Sequence, residues 1–173
     1  MQRIIITGNA GSGKSTLARQ LGKIMSVPVI HADTYLFIEG EAWKVRPIDD
    51  FHADILEAIA QDSWIFESGD IGAFQQSCER CEAIIYIDFN RFFCLYRVIK
   101  RRVQIKKKPR TEMPKGCIDR LERKFVKGVF WDYYKSRRPR LLHVIEASGK
   151  QVYHLKSRKQ AREFAKMVKA KHL

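Results

Sequence analysis

The chain alternates between short apolar runs and longer amphipathic stretches. The apolar runs are rich in β-branched and aromatic residues, are bounded by polar residues, and lie at 3–7, 27–30, 64–67, 83–88 and 152–155. Short runs without polar alternation are typical of strands whose two faces are both covered, as in a parallel sheet. We therefore predict five interior parallel strands.

Stretches with helical spacing of apolar residues separate these runs. They cover about 15–25, 47–59, 71–81, 91–105, 118–147 and 157–170. Because strand and helix alternate, the pattern predicts a parallel sheet with helices on both faces. Segment 106–117 interrupts the pattern with two prolines, a glycine and five basic residues. We predict that this segment is a basic surface loop.

The composition fits one soluble α/β domain over residues 1–173. The chain is 45% apolar and 30% charged, and this length suits a single domain. Its apolar runs fall well short of the ~20 residues that span a bilayer, and its first residues are too short for a signal-peptide core. Its four cysteines are too few for a disulfide scaffold. We expect a cytoplasmic protein that is neither secreted, fibrous nor membrane-spanning.

The net charge of +14 is divided unevenly along the chain. Residues 1–90 hold 7 basic and 13 acidic side chains, a net charge of −6. Residues 91–173 hold 26 basic and 6 acidic side chains, a net charge of +20. Such a positive half favours an anionic partner: nucleotide phosphates, nucleic acid or a membrane surface.

The clearest motif lies between the first predicted strand and the first predicted helix. Residues 8–15, GNAGSGKS, match the phosphate-loop pattern G-x-x-x-x-G-K-[ST]. Glycines let the backbone curl so that its N–H groups surround phosphate oxygens, and the helix N-terminus adds partial positive charge. Lys14 can reach the terminal phosphates, and Ser15 can ligate Mg²⁺. The predicted ATP-binding residues are Gly8, Asn9, Ala10, Gly11, Ser12, Gly13, Lys14, Ser15 and Thr16.

Missing motifs narrow the class of phosphate-loop protein. A regulatory GTPase carries an N-K-x-D motif, but neither Asn9 nor Asn90, the only asparagines, begins one. The H-R-D and D-F-G signatures of protein kinases are absent too. We predict a small kinase with the three-layer P-loop nucleoside-triphosphate hydrolase/kinase fold. It would have a five-stranded parallel sheet, an acceptor-binding insert at 34–62 and a short basic lid at 106–117.

Several segments besides the phosphate loop resemble one family. They are 4–8, 15–16, His31-Ala32-Asp33, Trp43, 64–67, 84–88, 94–97 and 110–117. Over most of its length the chain is similar to the adenylate-kinase-related, FlaR-like small kinases called DNA topology modulation proteins. The resemblance implies ATP- and Mg²⁺-dependent phosphoryl transfer, while the family's name records an effect on DNA topology. At the third strand the family resembles W-I-[IV]-D-G, whereas this chain has Glu67-Ser68-Gly69. The acidic role therefore either shifts to Glu67 or is weakened, and in the second case the chain would bind ATP without a robust reaction.

Two acidic residues follow predicted strands, at the edge where open α/β sheets bind ligands. Asp33 would orient Mg²⁺ or accept a proton from a substrate hydroxyl; otherwise it caps the next segment, Thr34-Tyr35. Glu67 would hold a magnesium-bound water, with helix capping as the alternative. Asp88 fits a helix N-cap better, and we expect His31 to be a core residue.

Phosphoryl transfer also needs positive groups around the transferred phosphate. The resemblance to adenylate kinases implies that the lid and its adjoining helix supply arginines, although a solvated helix face is the alternative. Arg137, Arg138 and Arg140 follow the lid, and we select Arg138. The predicted catalytic residues are Lys14, Asp33, Glu67, Arg97, Arg101, Arg110 and Arg138.

The insert between the second strand and the second long helix supplies candidate acceptor contacts. Trp43 and Arg46 there would grip a phosphate acceptor by stacking and by a guanidinium, together with Asp33. Trp43 is otherwise a small-core anchor. We expect the acceptor to be a nucleotide, a nucleoside-like compound, or another small hydroxyl or phosphate compound.

Two further interpretations concern the cysteines and the basic half. Cys78-x-x-Cys81 lacks the second ligand pair that zinc requires, and its place near a helix end disfavours a redox thiolate. We interpret both thiols as structural. The alternative function for the whole chain is a nucleotide-switched regulatory protein that binds DNA or RNA through residues 91–173 and influences DNA topology.

Overall fold

A computed structural model of the protein describes residues 1–38, 41, 44–104 and 122–172, without the side chain of His172. The strands within these ranges are β1 (Arg3–Gly8), β2 (Val29–His31), β3 (Trp64–Ser68), β4 (Ala83–Ile87) and β5 (Gln151–Leu155). The α-helices are α1 (Lys14–Met25), α2 (Ala32–Leu36), α3 (Ile48–Ala58), α4 (Ile71–Ser77), α5 (Arg91–Gln104), α6 (Arg123–Lys127), α7 (Arg138–Ala147) and α8 (Arg158–His172). A π-helix (Gly128–Arg137) joins α6 to α7.

The strands form one five-stranded sheet in the order β2-β3-β1-β4-β5, and every neighbouring pair is parallel. The predicted α/β class and parallel sheet are confirmed. The chain moves from β1 to one side for β2 and β3 and then to the other side for β4. This reversal opens a crevice at the carboxyl end of β1, the usual place for a ligand in such sheets.

The prediction that all the strands are interior is wrong for β2 and β5, which form the two edges of the sheet. Most of β5 is exposed or half-buried. An apolar run reports that helices cover a strand's faces, but it carries no information about lateral neighbours.

Helices cover both faces of the sheet, as predicted. In β1, Ile4 and Ile6 face the core under α1, α5 and α8, while Ile5 faces the core under α3, α4 and α7. All three side chains are fully buried, which is why β1 lacks polar alternation. In the ranges that the structure describes, no helix combines the length and the apolar content that crossing a membrane requires.

Several helix boundaries differ from the predictions. The predicted helix 71–81 ends at Ser77, and the short α2 was not predicted. In the predicted helix 118–147, the described part runs without a break from α6 to α7, but its middle winds as a π-helix. The predicted lid, 106–117, lies outside the described residues.

We expect two glycine substitutions to have opposite effects on stability. A Cβ on Gly22 in α1 would lie 2.5 Å from Val29 Cγ2 and 3.1 Å from the Val27 carbonyl oxygen. Gly22→Ala should therefore push α1 from β2 and lower the free energy of unfolding by about 1–3 kcal/mol, despite alanine's better helix propensity.

The control is Gly128→Ala, because nothing lies within 4 Å of a Cβ there and the backbone is already helical. It should raise the free energy of unfolding by about 0.4–1 kcal/mol. Urea unfolding of both variants checks the pair. A Gly22→Ala variant as stable as wild type would contradict the close packing of α1 on β2.

Candidate active site

The phosphate loop, residues 8–16, leaves the carboxyl end of β1 in a tight curl. Gly8, Gly11 and Gly13 have φ angles of 146°, 79° and 101°, a region that glycine adopts without steric cost. The Ser12 amide donates to the Asn9 carbonyl oxygen at 3.2 Å, and α1 begins at Lys14. The strand, turn and helix that the motif requires are all in place.

The protein side of this loop is packed without spare room. A Cβ on Gly8 would lie 2.3 Å from the Ile87 carbonyl oxygen, and one on Gly11 would lie 2.3 Å from the Cys94 carbonyl oxygen. The loop therefore rests directly on β4 and α5.

The loop has the features of an anion site. Ser12 is 1% exposed, and within the described residues its hydroxyl oxygen has no hydrogen-bond partner. The first turn of α1 holds no acidic residue, and the amides of a first helical turn lack partners inside the helix. A phosphate group would satisfy both the hydroxyl and the amides. The chain therefore fits the polyphosphate of a nucleotide at this loop.

A buried carboxylate stands beside the loop and defines what we call the Glu67 cluster: Glu67, Lys14, Ser15 and His31. Glu67 Oε2 accepts from Ser15 Oγ at 3.2 Å and lies 2.9 Å from His31 Nδ1. Lys14 Nζ lies 3.7 Å from Glu67 Oε1 and donates to the Asn9 carbonyl oxygen at 3.2 Å. The sequence prediction placed Lys14, Ser15 and Glu67 at one site, and the structure brings all three together.

Opposing effects act on the pKa of Glu67. Burial favours the neutral acid, but the hydrogen bond from His31, the charge of Lys14 and the Ser15 hydroxyl outweigh it and hold the pKa of Glu67 below its usual value. Glu67 is thus a carboxylate near neutral pH, with a charge and lone pairs that suit a hydrated cation.

The expectation that His31 is only a core residue missed this contact. His31 and Glu67 are register partners at the carboxyl ends of the adjacent strands β2 and β3. The signal for the contact is therefore strand order, which the sequence pattern did not supply.

Of the predicted arginines, Arg97 lies against the loop. A Cβ on Gly13 would lie 2.8 Å from its Nη1. Burial, together with the like charge of Arg158, lowers the pKa of Arg97. The sequence prediction missed Arg158, the first residue of α8. Arg101 lies one turn further along α5 and is half-buried, and Arg110 lies outside the described residues.

Arg138, the other predicted arginine, is bound to Asp88 by a two-pronged ion pair. Arg138 Nε and Nη2 lie 3.0 and 2.7 Å from Asp88 Oδ1 and Oδ2. His154 Nε2 lies 3.0 Å from the same Oδ2. Asp88 therefore anchors the start of α7 to the ends of β4 and β5. In this structure the guanidinium of Arg138 has a structural role, as the partner of Asp88.

The predicted acceptor residues are only partly described. Asp33 is in the first turn of α2, directly after β2. Like Glu67, it is therefore near the carboxyl ends of the strands. Arg46 Nη1 donates to Asp54 Oδ2 at 2.5 Å. Trp43 lies outside the described residues.

Cys78 and Cys81 lie near the amino end of β4, at the end of the strands opposite the phosphate loop. Cys78 follows α4, Cys81 precedes β4, and both are buried free thiols. The sequence prediction that the two cysteines lie near a helix end agrees with these positions. Across the described part of the chain, no group of three or more His, Cys, Asp or Glu side chains is arranged to hold a metal ion.

Comparisons with known proteins establish the fold. No family model matches the chain, and the search of curated proteins found no match. The chain is similar to a shikimate kinase from Acinetobacter baumannii in complex with shikimate, at 15% identity and a TM-score of 0.59, covering 97% of this chain and 90% of that one. It is also similar to a shikimate kinase from Bacteroides thetaiotaomicron, at 17% identity and a TM-score of 0.60, covering 98% and 97%. The predicted three-layer fold, a five-stranded parallel sheet with helices on both faces, is confirmed, and the resemblance to DNA topology modulation proteins stays a prediction.

The Asp88 ion pairs predict a loss of stability in acid. Burial opposes ionisation of Asp88, but the hydrogen bonds from Arg138 and His154 outweigh it and lower its pKa. A carboxylate with a lowered folded-state pKa stabilises the protein above its ordinary pKa of about 4, and this stabilisation is lost as the pH falls further.

Asp88→Asn should lower the free energy of unfolding at pH 7 by about 1–2 kcal/mol, discounted because Arg138 is partly exposed. The variant should also lose less stability than wild type between about pH 4 and pH 2. Asp132→Asn, on an exposed carboxylate, should change stability by less than about 0.5 kcal/mol. Unfolding curves across this pH range check both variants. An acid slope in Asp88→Asn equal to that of wild type would contradict the assignment.

Proposed function

We propose that the protein is an ATP- and Mg²⁺-dependent kinase that transfers a phosphoryl group to a small acceptor. The observation that carries the proposal is the phosphate loop, whose buried Ser12 hydroxyl has no partner within the described residues and whose Lys14 and Ser15 contact Glu67. The P-loop kinase fold supports it.

The residues of the loop and of the cluster would divide the work of binding. Magnesium-bound ATP supplies the phosphoryl group and part of its charge neutralisation. The amides of residues 8–16 and the Ser12 hydroxyl would hold the phosphates. Lys14, which now donates to the Asn9 carbonyl, would turn to phosphate oxygens. Ser15 would ligate the metal, and Glu67 would accept hydrogen bonds from the metal's water.

The arginines beside the loop would neutralise the transferred group. Arg97 already stands against Gly13, and Arg101 follows on the same helix. The charges of Arg97 and Arg158 repel each other, and an anion that binds between them or beside them would offset this repulsion. Arg110, the lid at 106–117 and Arg138 are assigned the same role from the sequence prediction.

The acceptor would enter the crevice on the β2 side, next to the Glu67 cluster. Asp33 lies at that edge and would accept the proton of an attacking hydroxyl, with Trp43 and Arg46 gripping the rest of the molecule. We propose a small hydroxyl-bearing acceptor. Nucleotides and nucleosides are the class predicted from the sequence. Shikimate, present in one of the similar structures, is a non-nucleotide candidate for the same test.

A second candidate function is supported by the distribution of charge over the helices. α1, α5 and α8 lie over the same core, and together they carry 14 lysines and arginines against one acid, Glu163. We call these helices the basic layer. A surface of a single sign attracts extended polyanions, so we propose as the second candidate that the basic layer binds the nucleic-acid backbone. An effect on DNA topology belongs to this candidate.

One experiment tests the kinase proposal directly. Calorimetry measures the binding of ATP with Mg²⁺, and an ADP-release assay screens nucleoside monophosphates, nucleosides, sugars and shikimate as acceptors. We expect heat on ATP binding and ADP release with at least one hydroxyl-bearing acceptor. The absence of both binding heat and ADP release would contradict the proposal.

Glu67→Gln tests the role of the carboxylate at nearly constant shape. Since a group that holds a metal-bound water typically contributes about 10- to 100-fold to metal affinity or activity, kcat should fall by about that factor and half-activation should need more Mg²⁺. Binding of ATP without Mg²⁺ should change little. Glu82→Gln is the control, because Glu82 pairs with Arg3 and the N-terminus at the amino ends of β1 and β4, away from the phosphate loop. Equal Mg²⁺ dependence in Glu67→Gln and wild type would remove Glu67 from the metal's surroundings.

The second candidate predicts salt-dependent binding of nucleic acid. Removing three exposed charges of α8 by Arg162→Gln, Lys166→Gln and Lys169→Gln should make the slope of log affinity against log salt shallower by about one for each phosphate that the variant no longer neutralises. Lys127→Gln, on α6 outside the basic layer, should leave the slope unchanged. Gel shifts at low and physiological salt measure it. If wild type loses all affinity by about 0.15 M salt, where the Debye length is about 8 Å, the basic layer is not a nucleic-acid surface.

A further inference from the structure

Asn9 joins the phosphate loop to a distant part of the chain. Asn9 is only 4% exposed, and its two polar side-chain atoms form hydrogen bonds with two separate backbone segments. Oδ1 accepts from the Ala10 amide at 2.8 Å, within the loop. Nδ2 donates to the Val129 carbonyl oxygen at 2.8 Å, 120 residues further along the chain. A buried amide with both ends satisfied is costly to disturb.

The backbone carbonyl of Asn9 belongs to the same junction. It accepts from the Ser12 amide and from Lys14 Nζ, at 3.2 Å in each case. Asn9 therefore contacts both the turn of the loop and Lys14, the lysine that we expect to bind phosphate in place of the Asn9 carbonyl. Through its side chain it also contacts Val129.

Val129 lies in the π-helix, a geometry that is rare over ten residues and frequent at functional sites. Other contacts hold this helix to the sheet and to α5. The Tyr134 hydroxyl donates to the Phe89 carbonyl oxygen, and the Arg91 guanidinium lies 4.6 Å from the Tyr134 ring centre. Asn9 thus joins the phosphate loop to the π-helix at Val129.

We propose that Asn9 is a positioning residue that couples occupancy of the phosphate loop to the π-helix. A polyphosphate that fixes the loop amides also fixes Ala10 and the Asn9 backbone, and hence the direction in which Asn9 Nδ2 points. Val129 is then held against the loop. Because coupling is reciprocal, an ordered π-helix favours the loop conformation that binds phosphate. The inference rests on the nucleotide site of the proposed function.

The side chain at position 9 has to satisfy two requirements at once. An acceptor must cap the Ala10 amide, and a donor on the same side chain must reach the Val129 carbonyl. Alanine supplies neither group. Serine keeps a hydroxyl near the Ala10 amide but is too short to span to Val129 as well. Asn9→Ala and Asn9→Ser therefore separate the link to the π-helix from the local turn.

The test uses ADP as the probe and hydrogen exchange, read by mass spectrometry, as the measurement. In wild type, saturating ADP should slow exchange in peptides from both 8–16 and 128–137, by about fivefold or more in the second, the lower end of usual coupling factors. In Asn9→Ala and Asn9→Ser, ADP should still slow the loop peptides, and the slowing at 128–137 should disappear. Ser136→Ala is the control, since it removes a bond inside the π-helix and leaves Asn9 intact; it should keep the ADP response.

The outcomes separate this inference from the proposed function. If wild type gives neither binding heat nor loop protection with ADP, the proposed function fails. If the loop responds in wild type but 128–137 does not, or responds equally in Asn9→Ser, the coupling is overturned while the nucleotide site stands. Should Asn9→Ala fail to fold, Asn9→Ser and the wild-type comparison decide the matter by themselves.

Discussion

The buried carboxylate of Glu67 imposes the constraint on which the rest of the site depends. A carboxylate with 6% of its residue exposed is stable in its charged form only if donors surround it. Its donors come from two other segments: Lys14 and Ser15 at the start of α1, and His31 at the end of β2. Three segments that are distant in sequence must therefore meet at the carboxyl ends of the strands, which is where the crevice opens.

The same constraint explains why the phosphate loop and the acid stand together. β3 lies between β2 and β1, so the end of β3 is next to both His31 and the start of the loop. Lys14 then has two anionic or polar partners on the protein, Glu67 and the Asn9 carbonyl. A phosphate that attracts Lys14 competes with both of them. Nucleotide binding at this loop would consequently rearrange the hydrogen bonds of Asn9 and Glu67 together.

The sequence was sufficient for features that are coded locally. The phosphate loop follows from a glycine pattern between a strand and a helix, and parallel strands follow from apolar runs alternating with helices. Features that depend on which segments become neighbours were missed. The contact between His31 and Glu67 needs the β2–β3 order, and the partner of Arg138 is Asp88, fifty residues away. The π-helix was missed because apolar periodicity reports the buried face of a helix and not its hydrogen-bond spacing.

The division of charge along the chain has two physical origins. Arg97 and Arg158 are close enough for their charges to interact beside the phosphate loop, so part of the positive half belongs to the crevice. Lys159, Arg162, Lys166 and Lys169 are instead on the exposed surface of α8. Beyond a Debye length of about 8 Å, solvent and salt screen exposed charges from a ligand in the crevice. A polyphosphate at the loop therefore accounts for the first group of charges, and the outer charges of the basic layer need a separate explanation, which is the physical ground for the second candidate function.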